Sequence, residues 1–211
     1  MSSSGEHHPH PPSDFEARAK ALESLLVEKG VLTSASIDKI VDAFEHDIGP
    51  MLGARAVARA WIDPAFKERL LAAPKGALTE LGITEHQVEE LVVVENSPDV
   101  HNVIVCTLCS CYPWMVLGLP PTWYKSAPYR SRVVIEPRAV LHEMGLDLST
   151  DVEVRVWDSS SDVRYMVLPE RPAGTDGWSE ERLATLATRD SMIGVANAAG
   201  PTRSGVAGGG V

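Results

Sequence analysis

Only three of the 211 residues are cysteine, an odd number and too few for a disulfide framework. Basic residues are scarce too: 19 Lys and Arg stand against 29 Asp and Glu, and the formal charge of −10 repels phosphate backbones and anionic lipid surfaces. A nucleic-acid binder is excluded on that balance. No apolar run supplies the roughly 20 residues of a membrane-spanning helix. The longest uncharged stretch, 100–123, is broken by three prolines and also holds all three cysteines and a histidine. The start, M-S-S-S-G-E-H-H-P-H-P-P, has neither a basic segment nor an apolar core, so no secretory signal is expected and the cytoplasm is the simplest compartment. There is no G-x-S-x-G elbow and no thiol outside 106–111, which disfavours covalent acyl-enzyme hydrolysis. What remains is an ordinary globular composition, 44% hydrophobic and 23% charged, long enough for one large domain or one domain with an arm.

Residues 1–12, rich in Ser, His and Pro, read as a disordered tail in which His7, His8 and His10 are solvated. Ser13 and Glu16 have capping-box spacing, and Phe15, Leu22, Leu25 and Leu26 recur at helical intervals until Gly30. A second amphipathic helix starts near Ser36, with Ile37, Ile40, Val41, Phe44 and Ile48 on one stripe and Gly49-Pro50 as its stop. Residues 13–50 are thus expected to form a helical arm whose apolar stripes need a partner. Helices are predicted over 51–61 and over 64–73, the latter with Asp63 as N-cap and Pro64 at its first position. A further short helix should end at Gly82. The β-branched runs at 91–94 and 103–105 read as buried strands. A loop-rich stretch to Arg132 precedes a helix from Pro137 to Met144 that Gly145 closes. Residues 152–157 and 163–168 alternate around D-S-S-S-D and predict a β-hairpin. The pattern is α+β: an extended N-terminal helical arm, then a layered α/β domain over 51–197 that carries the chemistry, then a flexible tail over 198–211. No internal repeat is visible.

Cys106, Cys109 and Cys111 fall in V-C-T-L-C-S-C-Y-P-W, at the end of the second predicted strand. A structural zinc site needs a fourth ligand, for which His101 and His142 are candidates. A redox pair of Cys106 and Cys109 leaves Cys111 unexplained. Three inert core thiols at this spacing would be a coincidence. Chelate geometry offers another reading. One ion can take the sulfurs of Cys109 and Cys111 with the backbone nitrogens of Ser110 and Cys111, closing one six-membered and two five-membered rings in a plane, while the Cys106 sulfur folds back onto the axis. One position stays open. Thiolates and amidates are strong-field donors, which suits low-spin cobalt(III) or iron(III) better than zinc. Five negative charges against three positive ones call for relief by sulfur oxygenation or by cationic neighbours.

The string C-T-L-C-S-C-Y-P-W resembles the metal-binding motif of the nitrile hydratase α subunit, and the likeness runs from near Ser13 to about Asn197. L-G-L-P-P-T-W-Y-K-S from Leu117, Y-R-S-R-V-V-I-E-P-R from Tyr129 and W-D-S-S-S-D-V-R-Y from Trp157 are similar to the same family. Thr107 and Tyr112 match its cobalt form rather than the iron form. The resemblance implies one cobalt(III) per α subunit, held by Cys106, Cys109, Ser110 and Cys111, with Cys106 an unmodified thiolate, Cys109 a sulfinic acid and Cys111 a sulfenic acid. It further implies a lyase that hydrates a small nitrile to its amide, an interfacial active site shared with a β subunit in a heterodimer or heterotetramer, and a cobalt-inserting activator. The β chain supplies the arginines that hold the oxidised sulfurs. Catalytic roles are implied for Cys111, Ser110 and Arg164, and substrate contacts for Trp114, Tyr112 and Gln87. Asp162 stands where the family has glutamate. Either metal-activated water or the Cys111 sulfenate oxygen is open as the nucleophile. Two rivals stay open: a cobalt-containing thiocyanate hydrolase subunit and a non-catalytic metal-thiolate or redox module.

Overall fold

The computed structural model describes residues 14–42, 49–83, 90–109 and 111–201, and the chain divides into two compact units, Met1–Glu45 and His46–Val211. Expectations for the histidine tail, Ser13, Phe44, Ile48, Gln87, Ser110 and residues 202–211 lie outside the described residues. In the first unit, α1 (Asp14–Glu28) ends where Gly30 takes φ +69, which a side chain would strain. Helix α2 (Ser34–Asp42) begins slightly earlier than expected, because Thr33 and Ser36 exchange backbone-to-hydroxyl bonds of 3.1 and 3.2 Å. Leu22 and Leu25 of α1 are exposed.

The second unit opens with α3 (Pro50–Ile62), whose small residues Ala54, Ala56, Val57, Ala58 and Ala60 are buried. Small side chains permit close packing: a Cβ on Gly53 would stand 2.9 Å from the Val116 carbonyl oxygen. Helix α4 (Pro64–Ala72) starts as predicted, with the Asp63 carboxylate accepting from the Phe66 N–H at 3.0 Å. Helix α5 (Pro74–Glu80) leads to Gly82 at φ +70.

Among the described residues four strands follow: β1 (Glu90–Glu95), β2 (Val100–Val105), β3 (Glu153–Asp158) and β4 (Val163–Leu168). The predicted hairpin is not formed. Strand β1 pairs with β4, and β2 with β3, in two separate parallel ladders. The backbone bonds at the connection explain why: Ser159 N donates to Val105 O at 2.7 Å and extends one ladder, while Glu90 N donates to Asp162 O at 2.9 Å and extends the other. The short link between β3 and β4 therefore crosses between sheets instead of reversing within one. It contains no Asn-Gly or similar pair to fold a tight reversal.

Parallel pairing requires a long crossover. Residues 106–152 between β2 and β3 supply it, and they hold the cysteine loop. The stretch expected as loop contains α6 (Trp114–Leu117), a 3-10 turn (Thr122–Lys125) and α7 (Ala127–Arg132), followed by α8 (Pro137–Glu143), which Gly145 closes at φ +90 as predicted. Two short helices outside the expected elements, α9 (Glu180–Ala184) and α10 (Arg189–Ile193), follow β4. Helix α3 packs on α6, α9 and α10, α10 also packs on β2 and β4, and α8 packs on β3. Among the described residues no helix is long and apolar enough to cross a membrane.

A buried polar knot ties β2 to its surroundings. His101 lies 2.7 Å through Nε2 from the Gly194 carbonyl and 3.2 Å through Nδ1 from Asn96 Nδ2. Nε2 therefore donates, Nδ1 accepts, and the ring is neutral. Burial pushes its pKa below the usual histidine value, against a smaller opposing effect of the Gly194 bond. Asn96 Oδ1 accepts from the Asn102 backbone and side chain at 2.8 and 3.0 Å, and Trp157 Nε1 donates to Asn102 Oδ1 at 2.8 Å. Gly194 has φ +90, and a Cβ there would collide with the Asn102 carbonyl.

Candidate metal centre

The three sulfurs converge. Cys106 follows β2 and is buried, Cys109 is exposed and Cys111 is half-buried. All three Sγ atoms lie within 4.8 Å of one another, with 3.5 Å from Cys106 to Cys109 and 3.2 Å from Cys109 to Cys111. The Cys109 N–H donates to Cys106 Sγ at 3.3 Å, which turns the chain back toward the strand end as chelation requires. No histidine or carboxylate joins them among the described residues. His101 is engaged by Gly194 and Asn96, and His142 sits 2.5 Å from Asp147, so neither serves as a fourth zinc ligand. Desolvation, then the neighbouring Cys109 and Cys106, push the Cys111 thiol up to about 12 against the opposing charge of Arg164. The Cys111 thiol thus resists ionisation on its own. A multivalent cation, which coordinating thiolates neutralise, removes that penalty. An all-sulfur set suits a thiophilic transition metal rather than calcium or magnesium.

The loop is held from several sides. The β2–β3 register puts Val105 opposite Asp158, so the Asp158 carboxylate reaches the first loop residue. It accepts from Thr107 N at 2.9 Å and from Thr107 Oγ1 at 2.6 Å. From α7, Arg130 Nη1 donates to Cys109 O at 3.1 Å and Thr107 O at 3.4 Å. Below the loop lies an aromatic floor. The Tyr124 hydroxyl donates to Cys111 O at 2.9 Å, and the Tyr129 hydroxyl donates to Ile104 O at 2.7 Å. Tyr112 meets Tyr124 edge-on at 5.1 Å between centroids, and Trp123 meets Tyr129 at 4.9 Å. Burial drives the phenols of Tyr112, Tyr124 and Tyr129 above the ordinary tyrosine value, so all three stay protonated.

Among the residues marked in the sequence, the structure brings together Cys106, Cys109, Cys111 and Arg164, whose charge acts on Cys111. Trp114 opens α6 and is 45% exposed, whereas Tyr112 is 1% exposed and belongs to the floor. Leu108, at the loop apex, is 86% exposed. Sequence reasoning assigned no role to Arg130, Asp158, Tyr124 or Tyr129, although each falls in a string already quoted for its resemblance. Their partners are mostly backbone carbonyls far along the chain, which no local pattern signals. A cavity of about 340 Å³ between Trp61, Lys67, Glu95 and Arg171 contains none of the loop residues.

A loop of three convergent thiols set at the carboxyl end of a parallel strand defines a metal-thiolate protein. The particular family follows from comparison: the model described as nitrile hydratase, alpha chain, matches residues 13–196, and the chain belongs to that family. It is 58% identical over 183 residues to the cobalt-containing nitrile hydratase subunit alpha of Pseudonocardia thermophila, covering 86% of this chain and 90% of the relative. A solved double mutant of the Fe-type nitrile hydratase from Comamonas testosteroni Ni1 superimposes with a TM-score of 0.89 at 44% identity, covering 95% of this chain and all of that one. The thiocyanate hydrolase subunit gamma of Thiobacillus thioparus is 44% identical over 195 residues, covering 87% of this chain and 80% of the relative.

Proposed function

We propose that this chain is the metal-bearing subunit of a cobalt nitrile hydratase, acting in the cytoplasm and converting a small nitrile to its amide. The convergence of three sulfurs within 4.8 Å, in a loop anchored by Asp158 and Arg130, is the observation that supports this most. Cys106, Cys109 and Cys111 hold the ion together with the amide nitrogens of Ser110 and Cys111. When bound, a trivalent cobalt supplies Lewis acidity that polarises the C≡N bond toward attack by water. Thr107 and Tyr112, together with relatives named as cobalt-containing at 53–58% identity, favour cobalt over iron.

The chain's own groups do the rest. Asp158, Arg130 and Tyr124 fix the loop so that the sulfurs stay convergent. Trp114, on the exposed side of the loop, packs against the organic part of the nitrile, and Tyr112 supports it from the floor. Arg164 places positive charge toward Cys111, where it offsets the sulfur's charge. Gln87 orders the substrate side. A β subunit covers Leu108 and Trp114, contributes the cations that hold the oxidised forms of Cys109 and Cys111, and completes a heterodimer or heterotetramer. An activator delivers the cobalt.

The test is the chain co-expressed with its partner gene in cobalt-supplemented cells. About one cobalt per chain is expected, as the single chelate implies. Peptide mass spectrometry should find sulfinic acid on Cys109, sulfenic acid on Cys111 and an unmodified Cys106. Zinc in place of cobalt, or oxygen on Cys106, would overturn the assignment. The likeness to thiocyanate hydrolase supports a second reading, so both substrates belong in the assay. Thiocyanate turnover exceeding that of every nitrile would decide for it.

A further inference from the structure

We infer that Arg130 is the positioning residue that makes the cysteine loop able to hold a trivalent ion through its backbone, by neutralising charge on the Cys109 carbonyl oxygen. The inference rests on the metal-site reading above and concerns a residue that takes no part in binding sulfur.

The carbonyl of Cys109 and the amide nitrogen of Ser110 belong to one peptide unit. An amide that ligates a metal through a deprotonated nitrogen carries its negative charge across that whole unit, with much of it on the oxygen, because the N–C–O system is conjugated. The oxygen in question is where Arg130 Nη1 donates, at 3.1 Å. The same nitrogen lies 3.4 Å from the Thr107 carbonyl. Arginine keeps its charge at every physiological pH, so this is a permanent cation placed on the peptide oxygen that gains charge. Hydrogen bonds between a charged donor and a charged acceptor are about twice as strong as neutral ones.

A further observation fits the role. Arg130 Nε is buried without a hydrogen-bond partner among the described residues, although Arg130 lies only one turn from Ser126, the cap of α7. A guanidinium kept for stability would be expected to satisfy its buried nitrogen; this one leaves it and spends Nη1 on the loop.

Charge and hydrogen bonding separate experimentally by comparing Arg130→Lys, Arg130→Gln and Arg130→Met, each expressed as full chain with its partner subunit. Cobalt per chain is measured at limiting cobalt, alongside the sulfur-to-cobalt charge-transfer absorption and the unfolding midpoint of the complex. Lys keeps the charge, Gln keeps a donor only, and Met keeps neither. Loss of a group that supports metal ligands commonly costs about 10- to 100-fold in metal affinity, so Met and Gln should need at least about 10-fold more cobalt for half-loading, with a displaced absorption band. Lys should load near the wild-type level. Full loading and an unmoved band in both Gln and Met would overturn the inference. Rescue by Gln as complete as by Lys would overturn its charge component. Should the Met complex fail to assemble, the Lys-to-Gln comparison still decides. A wild-type complex free of cobalt would overturn the reading of the site itself, and is seen before any variant is compared.

Discussion

The two ends of β2 solve opposite problems. At its start, His101, Asn96 and Asn102 form a buried knot in which the donors and acceptors meet and the histidine is neutral. At its finish, Cys106, Cys109 and Cys111 crowd three like groups together, with desolvation and mutual proximity holding the Cys111 thiol near 12. One cluster is complete without a ligand and gives rigidity. The other is a deficit that an ion fills. Polar groups brought together inside a protein are thus structural when they satisfy one another and functional when they do not.

The sharpest way to break that contrast is to remove a member of the incomplete cluster. Cys111→Ser is expected to lower nitrile turnover at least about 1000-fold, about 4 kcal/mol of transition-state stabilisation, while the complex stays folded. Native turnover with native cobalt content would show that this sulfur has no part in the chemistry. Next comes the knot. Gly194→Ala forces a side chain onto the Asn102 carbonyl at φ +90 and should destabilise the chain by about 3 kcal/mol, seen in denaturant midpoints. A change under 0.5 kcal/mol, roughly the size of a neutral surface substitution, would mean that the knot yields freely.

A pH experiment sharpens the comparison further. His101 has a folded-state pKa below the unfolded value of about 6.5, so the unfolded chain binds the proton more readily. Its stabilising contribution is complete above about 6.5 and is lost as the pH falls through the lower folded value. Unfolding midpoints should drop in that window and the drop should shrink in His101→Gln. An identical slope in the variant would assign the acid sensitivity elsewhere. The smallest effect is expected at the loop edge, where Thr107→Val removes the 2.6 Å bond to Asp158 but keeps the shape. About 1 kcal/mol of stability should be lost, with cobalt content preserved. Cobalt loss as severe as in Arg130→Met would place Thr107 among the groups that govern metal loading.

Local chemistry was readable in the chain. Asp63 and Pro64 start α4, and Gly30, Gly82 and Gly145 sit at positive φ where helices stop, because capping depends on residues a few positions apart. The cysteine cluster was legible for the same reason: a chelate is a short-range object. Strand pairing was not. The alternation of 152–157 and 163–168 marks two strands correctly, yet their partners are chosen by a crossover of more than forty residues and by bonds such as Ser159 to Val105. Arg130 escaped notice on similar grounds, since its target is a carbonyl 21 positions away. Tyr112 read as a pocket aromatic beside the cysteines, but its burial under the loop depends on Tyr124, which arrives only with the next turn.

Among the described residues each sheet has two strands, so each strand is an edge with one row of backbone groups left to be satisfied outside the ladder. On β2 that row is met by side chains: Asn96 takes the Asn102 N–H and the Tyr129 hydroxyl takes the Ile104 carbonyl. A foreign strand finds those two sockets already plugged. Asn96 and Tyr129 thereby close the outer edge of β2 beside the cysteine loop, so the strand's buried end is finished by side chains instead of by a third strand.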